Sequence, residues 1–174
     1  NGTPGGAVIS QPTYTDKVAI AAGAGQVNQQ YGAIAIGLYA AYQNQDDYAI
    51  AIGYNAGAQT CACGTIAIGR NALKLSCVNY NIAIGENSQC GNSCGVENIS
   101  VGMKSLTSNK TGFRNIAIGS YALYNLCQGA FNVAIGYKAQ NTNQTGCSNI
   151  AIGKKVQFFN CAGNWNISLG DYSS

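Results

Sequence analysis

Residues 34–37 read Ile34-Ala35-Ile36-Gly37, and the same four letters return as Ile50-Ala51-Ile52-Gly53, Ile66-Ala67-Ile68-Gly69 and Ile82-Ala83-Ile84-Gly85. Two further copies are Ile116-Ala117-Ile118-Gly119 and Ile150-Ala151-Ile152-Gly153. Close variants start at Ile99, Val133 and Ile167, and a degenerate copy, Val18-Ala19-Ile20-Ala21, precedes them all. The closing glycines fall at 37, 53, 69, 85, 102, 119, 136, 153 and 170, so the period is 16 residues up to Gly85 and 17 beyond it. Such a register marks a stack of units, each of which buries its apolar face only against its neighbours.

The unit reads as strand, not helix. β-branched residues at i and i+2 around a small residue, closed by Gly, do not follow a 3.6-residue rhythm. Two short strands and two turns fill 16 residues. Small residues three places past each glycine, from Ala24 and Ala40 to Ala139 and Val156, predict a second strand or bend against the same narrow interior. In the 17-residue units Gly-x-x-Asn precedes the strand, as at Gly95/Asn98 and Gly112/Asn115. Gly and Asn tolerate the left-handed backbone of a tight turn, so the extra residue belongs in that turn. The expected fold is all-β: a single-domain parallel β-solenoid of about ten coils, stacked at about 4.8 Å into a rod of roughly 45 to 50 Å. Residues 18–174 make the solenoid. Residues 1–17 are off the repeat and contain Ala7-Val8-Ile9-Ser10, which predicts a cap or donor strand.

The strand carries a second message. Its two Ile side chains point to one face and its Ala to the other. A strand with one wet face alternates apolar and polar residues, and this one does not. One face fills the interior, so the other is a continuous apolar strip that predicts burial against another subunit. The expected assembly strand is Ile34-Ala35-Ile36, Ile50-Ala51-Ile52, Ile66-Ala67-Ile68, Ile82-Ala83-Ile84, Ile116-Ala117-Ile118 and Ile150-Ala151-Ile152. The pattern alone does not say which face is which.

These residues carry a resemblance. Ile82-Ala83-Ile84-Gly85-Glu86-Asn87-Ser88 and Asn115-Ile116-Ala117-Ile118-Gly119-Ser120-Tyr121-Ala122 resemble the head repeats of trimeric autotransporter adhesins of the YadA type, which recur in phage and large-virus fibre proteins. The resemblance runs from residue 18 to 170. It implies a left-handed parallel β-roll, three chains packed through one strand face, and adhesion to matrix or cell surfaces. Longer coils and frequent Cys set this chain apart from that family.

Little points to chemistry. There is no His, which excludes His-based triads and His metal sites. The acids are Asp16, Asp46, Asp47, Glu86, Glu97 and Asp171, with no Asp ladder of the calcium-binding kind. We therefore expect no catalytic residue, no metal and no cofactor. Charged residues make up 9% of the chain, against about 25% in ordinary domains. The nine basic residues are scattered and form no stripe for nucleic acid. No run reaches the ~20 apolar residues of a transmembrane helix. The chain opens on Asn1-Gly2-Thr3 with no initiating Met, as a processed form or a fragment does.

Eight Cys in 174 residues favour an oxidising setting. Cys61, Cys77, Cys127 and Cys161 stand eight residues past a coil glycine and Cys94 nine. Adjacent coils lie within disulfide reach, so Cys61–Cys77 and Cys77–Cys94 compete as pairs. Cys90–Cys94 is a local alternative, and Cys147 lies in the coil between Cys127 and Cys161. Of the Asn-x-Ser/Thr sequons, Asn109 and Asn143 are expected in outer turns as glycosylation acceptors. Tyr48, Tyr80, Phe131 and Trp165 form a partial aromatic column five residues before the glycine, read as rings stacked over turns. The expected function is that of a non-enzymatic structural protein of an extracellular fibre or surface appendage. It would assemble with itself, as a homotrimer or head to tail, through the apolar strand face or the open solenoid ends. The alternative is an adhesin or virion-fibre head that binds a matrix, cell-surface or glycan ligand through its lateral surface. The expected location is extracellular, at a cell or virion surface.

Overall fold

The structure is a computed structural model and describes residues 16–59, 63–75 and 78–173. The off-repeat segment falls outside the described residues except for Asp16 and Lys17. So do Cys61 and Cys77. The fold is all-β, and the described residues contain ten three-residue strands: β1 (Val18–Ile20), β2 (Ile34–Ile36), β3 (Ile50–Ile52), β4 (Ile66–Ile68), β5 (Ile82–Ile84), β6 (Ile99–Val101), β7 (Ile116–Ile118), β8 (Val133–Ile135), β9 (Ile150–Ile152) and β10 (Ile167–Leu169). They form one parallel sheet in chain order, so every connection is one full turn of a parallel β-solenoid. The register is that of the repeat: Ile50 pairs Ile66, Ala51 pairs Ala67 and Ile52 pairs Ile68. The change of period leaves it intact, since Ile82 pairs Ile99 and Ala83 pairs Ser100.

Nine of the ten strands stop at a glycine because the backbone there turns left-handed, and β1 stops in the same way at Ala21 (φ 97°). Gly37 has φ 124° and Gly119 has φ 128°. A Cβ on Gly37 would sit 2.9 Å from the carbonyl of Gly53 in the next coil. The glycine columns therefore stack at a separation that a side chain would prevent. Three residues on, the backbone N–H donates back to the glycine carbonyl, as Ala40 does to Gly37 at 3.0 Å.

The second side of the coil differs from expectation. Among the described residues it contains no second strand, only the isolated bridges Val27–Gln43 and Gln43–Gln59. The positions two and four past the glycine are left-handed in coil after coil, for example Tyr121 (φ 59°) and Leu123 (φ 49°). Left-handed residues break the pleat, so this side stacks as a bend. It still bonds from coil to coil, Leu123 N–H to the Ala139 carbonyl at 3.0 Å.

The structure also settles which strand face is inside. Ala35, Ala83, Ala117 and Ala151 are fully buried, and they pack against Ala40, Ala72, Ala122 and Ala139 from the opposite wall. The lumen is one small side chain deep from each wall, so Ala fits and Ile does not. The Ile pairs point outward. Two apolar clusters fill the lumen, one ending at Ala83 and the other starting at Leu106. A buried serine belt separates them where the period changes: Ser88 Oγ bonds Ser100 Oγ, and Ser105 Oγ at 3.1 Å.

Candidate assembly face

The outward side chains of the sheet make two parallel columns. One runs from Val18 through Ile34, Ile82 and Ile116 to Ile167, the other from Ile20 through Ile52, Ile84 and Ile118 to Leu169. All are half-buried or exposed; mid-rod Ile84, Ile118 and Ile152 are 36%, 38% and 41% exposed. The remaining cover comes from stacked neighbours about 4.8 Å away. The strip is ten strands long and unbroken by any polar side chain. Of the residues expected to form the assembly strand, the isoleucines lie on this strip and the alanines do not. Val18, Ile20, Ile99, Val101, Val133, Ile135, Ile167 and Leu169 extend it and were missing from that expectation, although the same tetrapeptide announces them.

Of the aromatic column, Tyr48, Tyr80 and Phe131 stack over neighbouring turns or rings as expected, whereas Trp165 is 82% exposed. A Cβ on Gly32 would meet the Tyr48 ring at 2.8 Å, and one on Gly64 the Tyr80 ring at 3.1 Å, so each ring lies over the glycine of the preceding coil. Phe131 meets Phe113 edge-on at 5.3 Å, with the Arg114 guanidinium over its ring at 5.8 Å. Arg114 also donates to Glu97 at 2.7 Å, and this hydrogen bond, then the opposite charge, holds the Glu97 carboxyl below the usual range.

The glycosylation expectation is overturned. Asn109 and Asn143 are fully buried. Each carboxamide oxygen accepts the backbone N–H three residues on, Gly112 and Gly146, both at 2.8 Å. Each amide nitrogen donates inward, Asn109 to the Gly112 carbonyl and Asn143 to Gln140 Oε1. These turns are closed by asparagine side chains aimed into the lumen, and the acceptor nitrogens are already bonded.

The six cysteines of the described residues, Cys63, Cys90, Cys94, Cys127, Cys147 and Cys161, all carry free thiols. Cys127 and Cys161 share a column with Gln144 between them, since Cys127 N–H donates to the Gln144 carbonyl and Gln144 N–H to that of Cys161. Cys147 belongs to a different column, where its Sγ accepts the Ala130 N–H at 3.4 Å. Burial pushes the Cys90 thiol pKa up. Burial, then the charge of Asp46, does the same at Cys63, whose Sγ–H donates to that carboxylate at 3.7 Å.

Compared with protein-family models, curated proteins and solved structures, the chain matches none.

Proposed function

We propose that this protein is a non-enzymatic structural subunit of an extracellular fibre or surface appendage, and that its copies associate side by side through the outward Ile/Val strip. The observation that carries the reading is the two-column apolar strip on a face the protein's own core does not use. Apolar patches of more than a few hundred Å² are rare on soluble monomers and mark interfaces. Parallel, regular columns of β-branched side chains also interdigitate readily with an identical surface. A homotrimer is the assembly implied by the resemblance to adhesin and fibre heads. The same rigid rod would serve as a scaffold for display, the reading taken further below.

Analytical ultracentrifugation of the native protein tests this. A concentration-independent trimer or a discrete higher oligomer is expected. Replacing Ile84 and Ile118 with Lys, at positions already open to solvent, should release monomers that keep the wild-type β-sheet circular dichroism. A wild-type monomer throughout the accessible range overturns the proposal. Electron micrographs in which particles lengthen with concentration would instead show end-to-end growth.

A further inference from the structure

We propose that the lateral face between the second and fifth positions past each coil glycine is a groove that binds a linear anionic polysaccharide along the rod axis. The inference deepens the display reading. It uses a different set of residues from the Ile strip.

The second-position column reads Lys104, Tyr121, Lys138, Lys155 and Tyr172 in five successive coils. All five are left-handed, with φ between 53° and 59°. Asn is at ease in that conformation, and Asn55, Asn71 and Asn87 hold it in the three preceding coils. The bend of the coil imposes the same conformation on Lys and Tyr in the later coils, which fixes the direction of their side chains. The side chains are also organised. Lys104 and Lys138 approach the Tyr121 ring from either side, each at 5.7 Å, and Lys155 lies 5.6 Å from the Tyr172 ring. The rings thus line up ammonium groups at coil spacing.

The charge within this face is of one sign. Lys74 joins it at a fifth position, and neither column contains Asp or Glu. The nearest acids in the coil are one place past the glycine, outside both columns. Glu86 pairs with Arg70, and Asp171 accepts the Lys154 backbone N–H at 2.8 Å. The face is hollowed towards both ends of the rod. A cavity of about 350 Å³ is lined by Lys155, Phe158 and Tyr172 in the last coils, and one of about 390 Å³ by Tyr39, Tyr42 and Lys74 in the early coils.

The spacing points to the ligand. Coils advance by about 4.8 Å, so Lys104 and Lys138 are two steps apart and Lys138 and Lys155 one. One residue of a linear polysaccharide advances its chain by about one coil. A sulfate or carboxylate on every sugar or every second sugar then meets the lysines in register. The Tyr121 ring between Lys104 and Lys138 holds their ammonium groups in that register. Duplex DNA carries one charge per ~1.7 Å, far denser than this single file of lysines.

Immobilised heparin is the probe. The native protein should be retained on heparin and not on neutral dextran, more weakly as salt rises. The triple variant K104Q/K138Q/K155Q should lose on the order of tenfold or more in heparin affinity. The control K17Q/K110Q/R114Q, which removes the same charge away from the groove, should stay within about twofold. Equal loss in both triples, displacement of heparin by duplex DNA at equal concentration, or no retention at low salt each overturns the proposal. Neither triple touches the Ile strip, so both should sediment as the wild type does. A change of mass with heparin binding intact would fault the assembly reading and leave this one standing.

Discussion

In the first two coils, a glutamine reaches into the lumen from the turn eight residues past the position that closes the strand. Gln45 Nε2 donates to the Ile34 and Ala49 carbonyls, both at 2.8 Å, and Gln29 does the same to Val18 and Ala33. In the coil after Gly85 the equivalent pair of carbonyls is met from the other wall. Gln89, four residues past its glycine, donates to Ile82 at 2.9 Å and Asn98 at 3.4 Å. The longer coil has room for more. Asn81, Asn98, Asn115, Asn132, Asn149 and Asn166 form a ladder in which each carboxamide oxygen accepts the backbone N–H of the next, for example Asn132 N–H to Asn115 Oδ1 at 3.0 Å. The later coils thus carry a continuous amide chain that the first coils, held by single glutamines, lack. Polar groups in such a core are stabilising only while every partner is present.

The largest effect should separate the halves at their glycines. A Cβ on Gly119 would sit 2.5 Å from the Gly136 oxygen, whereas one on Gly53 would sit 3.0 Å from the Gly69 carbonyl. Both share the left-handed backbone, which costs a side chain roughly 1–2 kcal/mol. Gly119→Ala should therefore cost on the order of 4 kcal/mol and Gly53→Ala about 2 kcal/mol, read from guanidinium midpoints. Equal losses would mean that the coils are spaced alike.

Next come the amides. Asn115→Ala removes the donor to the Gly129 carbonyl and the acceptor of the buried Asn132 N–H. Leaving these groups unpaired should cost about 2–4 kcal/mol. Gln45→Ala should cost less, about 1–2 kcal/mol, because the Ala49 carbonyl keeps its bond from Ile34 N–H. Denaturation of the two variants against the wild type checks the order.

A smaller effect tests whether the glutamine–asparagine pairs of the lumen are cooperative. Asn92, Asn143 and Asn160 each donate to the glutamine three residues earlier in the same coil. The coil after Gly119 replaces that pair with Leu123 and Leu126, both fully buried. Leu123→Gln and Leu126→Asn alone should each destabilise by about 1–3 kcal/mol, since each buries an amide without its partner. The double variant should recover on the order of 1 kcal/mol relative to their sum. Additive losses in the cycle would show that the site rejects the amide pair.

The sequence made the strands legible because a column that must turn left-handed at close spacing selects glycine in nine coils of ten. All ten strands sit where the tetrapeptide sits. The same tetrapeptide could not reveal its inner face. Ala and Ile are both apolar, and only the depth of the lumen tells them apart. The second strand failed for a local reason: left-handed residues at the second and fourth positions cannot continue a pleat. Asn55, Asn71 and Asn87 hinted at this, but Tyr, Lys and Leu at equivalent places did not. Asn109 and Asn143 read as surface acceptors because a sequon carries no depth. The telling signal was the glycine three residues after each, which the asparagine side chain caps. The groove lysines escaped notice because their column mixes Lys, Tyr and Asn, and only alignment on the coil glycines brings them into line.

The weakest expected contrast is electrostatic. Arg114 and Glu97 pair in the later coils with 54% and 44% of their side chains exposed. The pair lowers the Glu97 pKa in the folded state. Whatever stability it adds is therefore fully present above the carboxyl's unfolded pKa and is lost as pH falls through the lower, folded value. Water and salt screen a pair this open. Glu97→Gln should accordingly melt with the wild type at pH 7, and the two proteins should lose stability in parallel as the solution is acidified through the carboxylate range. The amide chain, which does not titrate, would then be what distinguishes the later coils. If the wild type instead lost stability in acid more steeply than Glu97→Gln, part of that distinction would belong to surface charge.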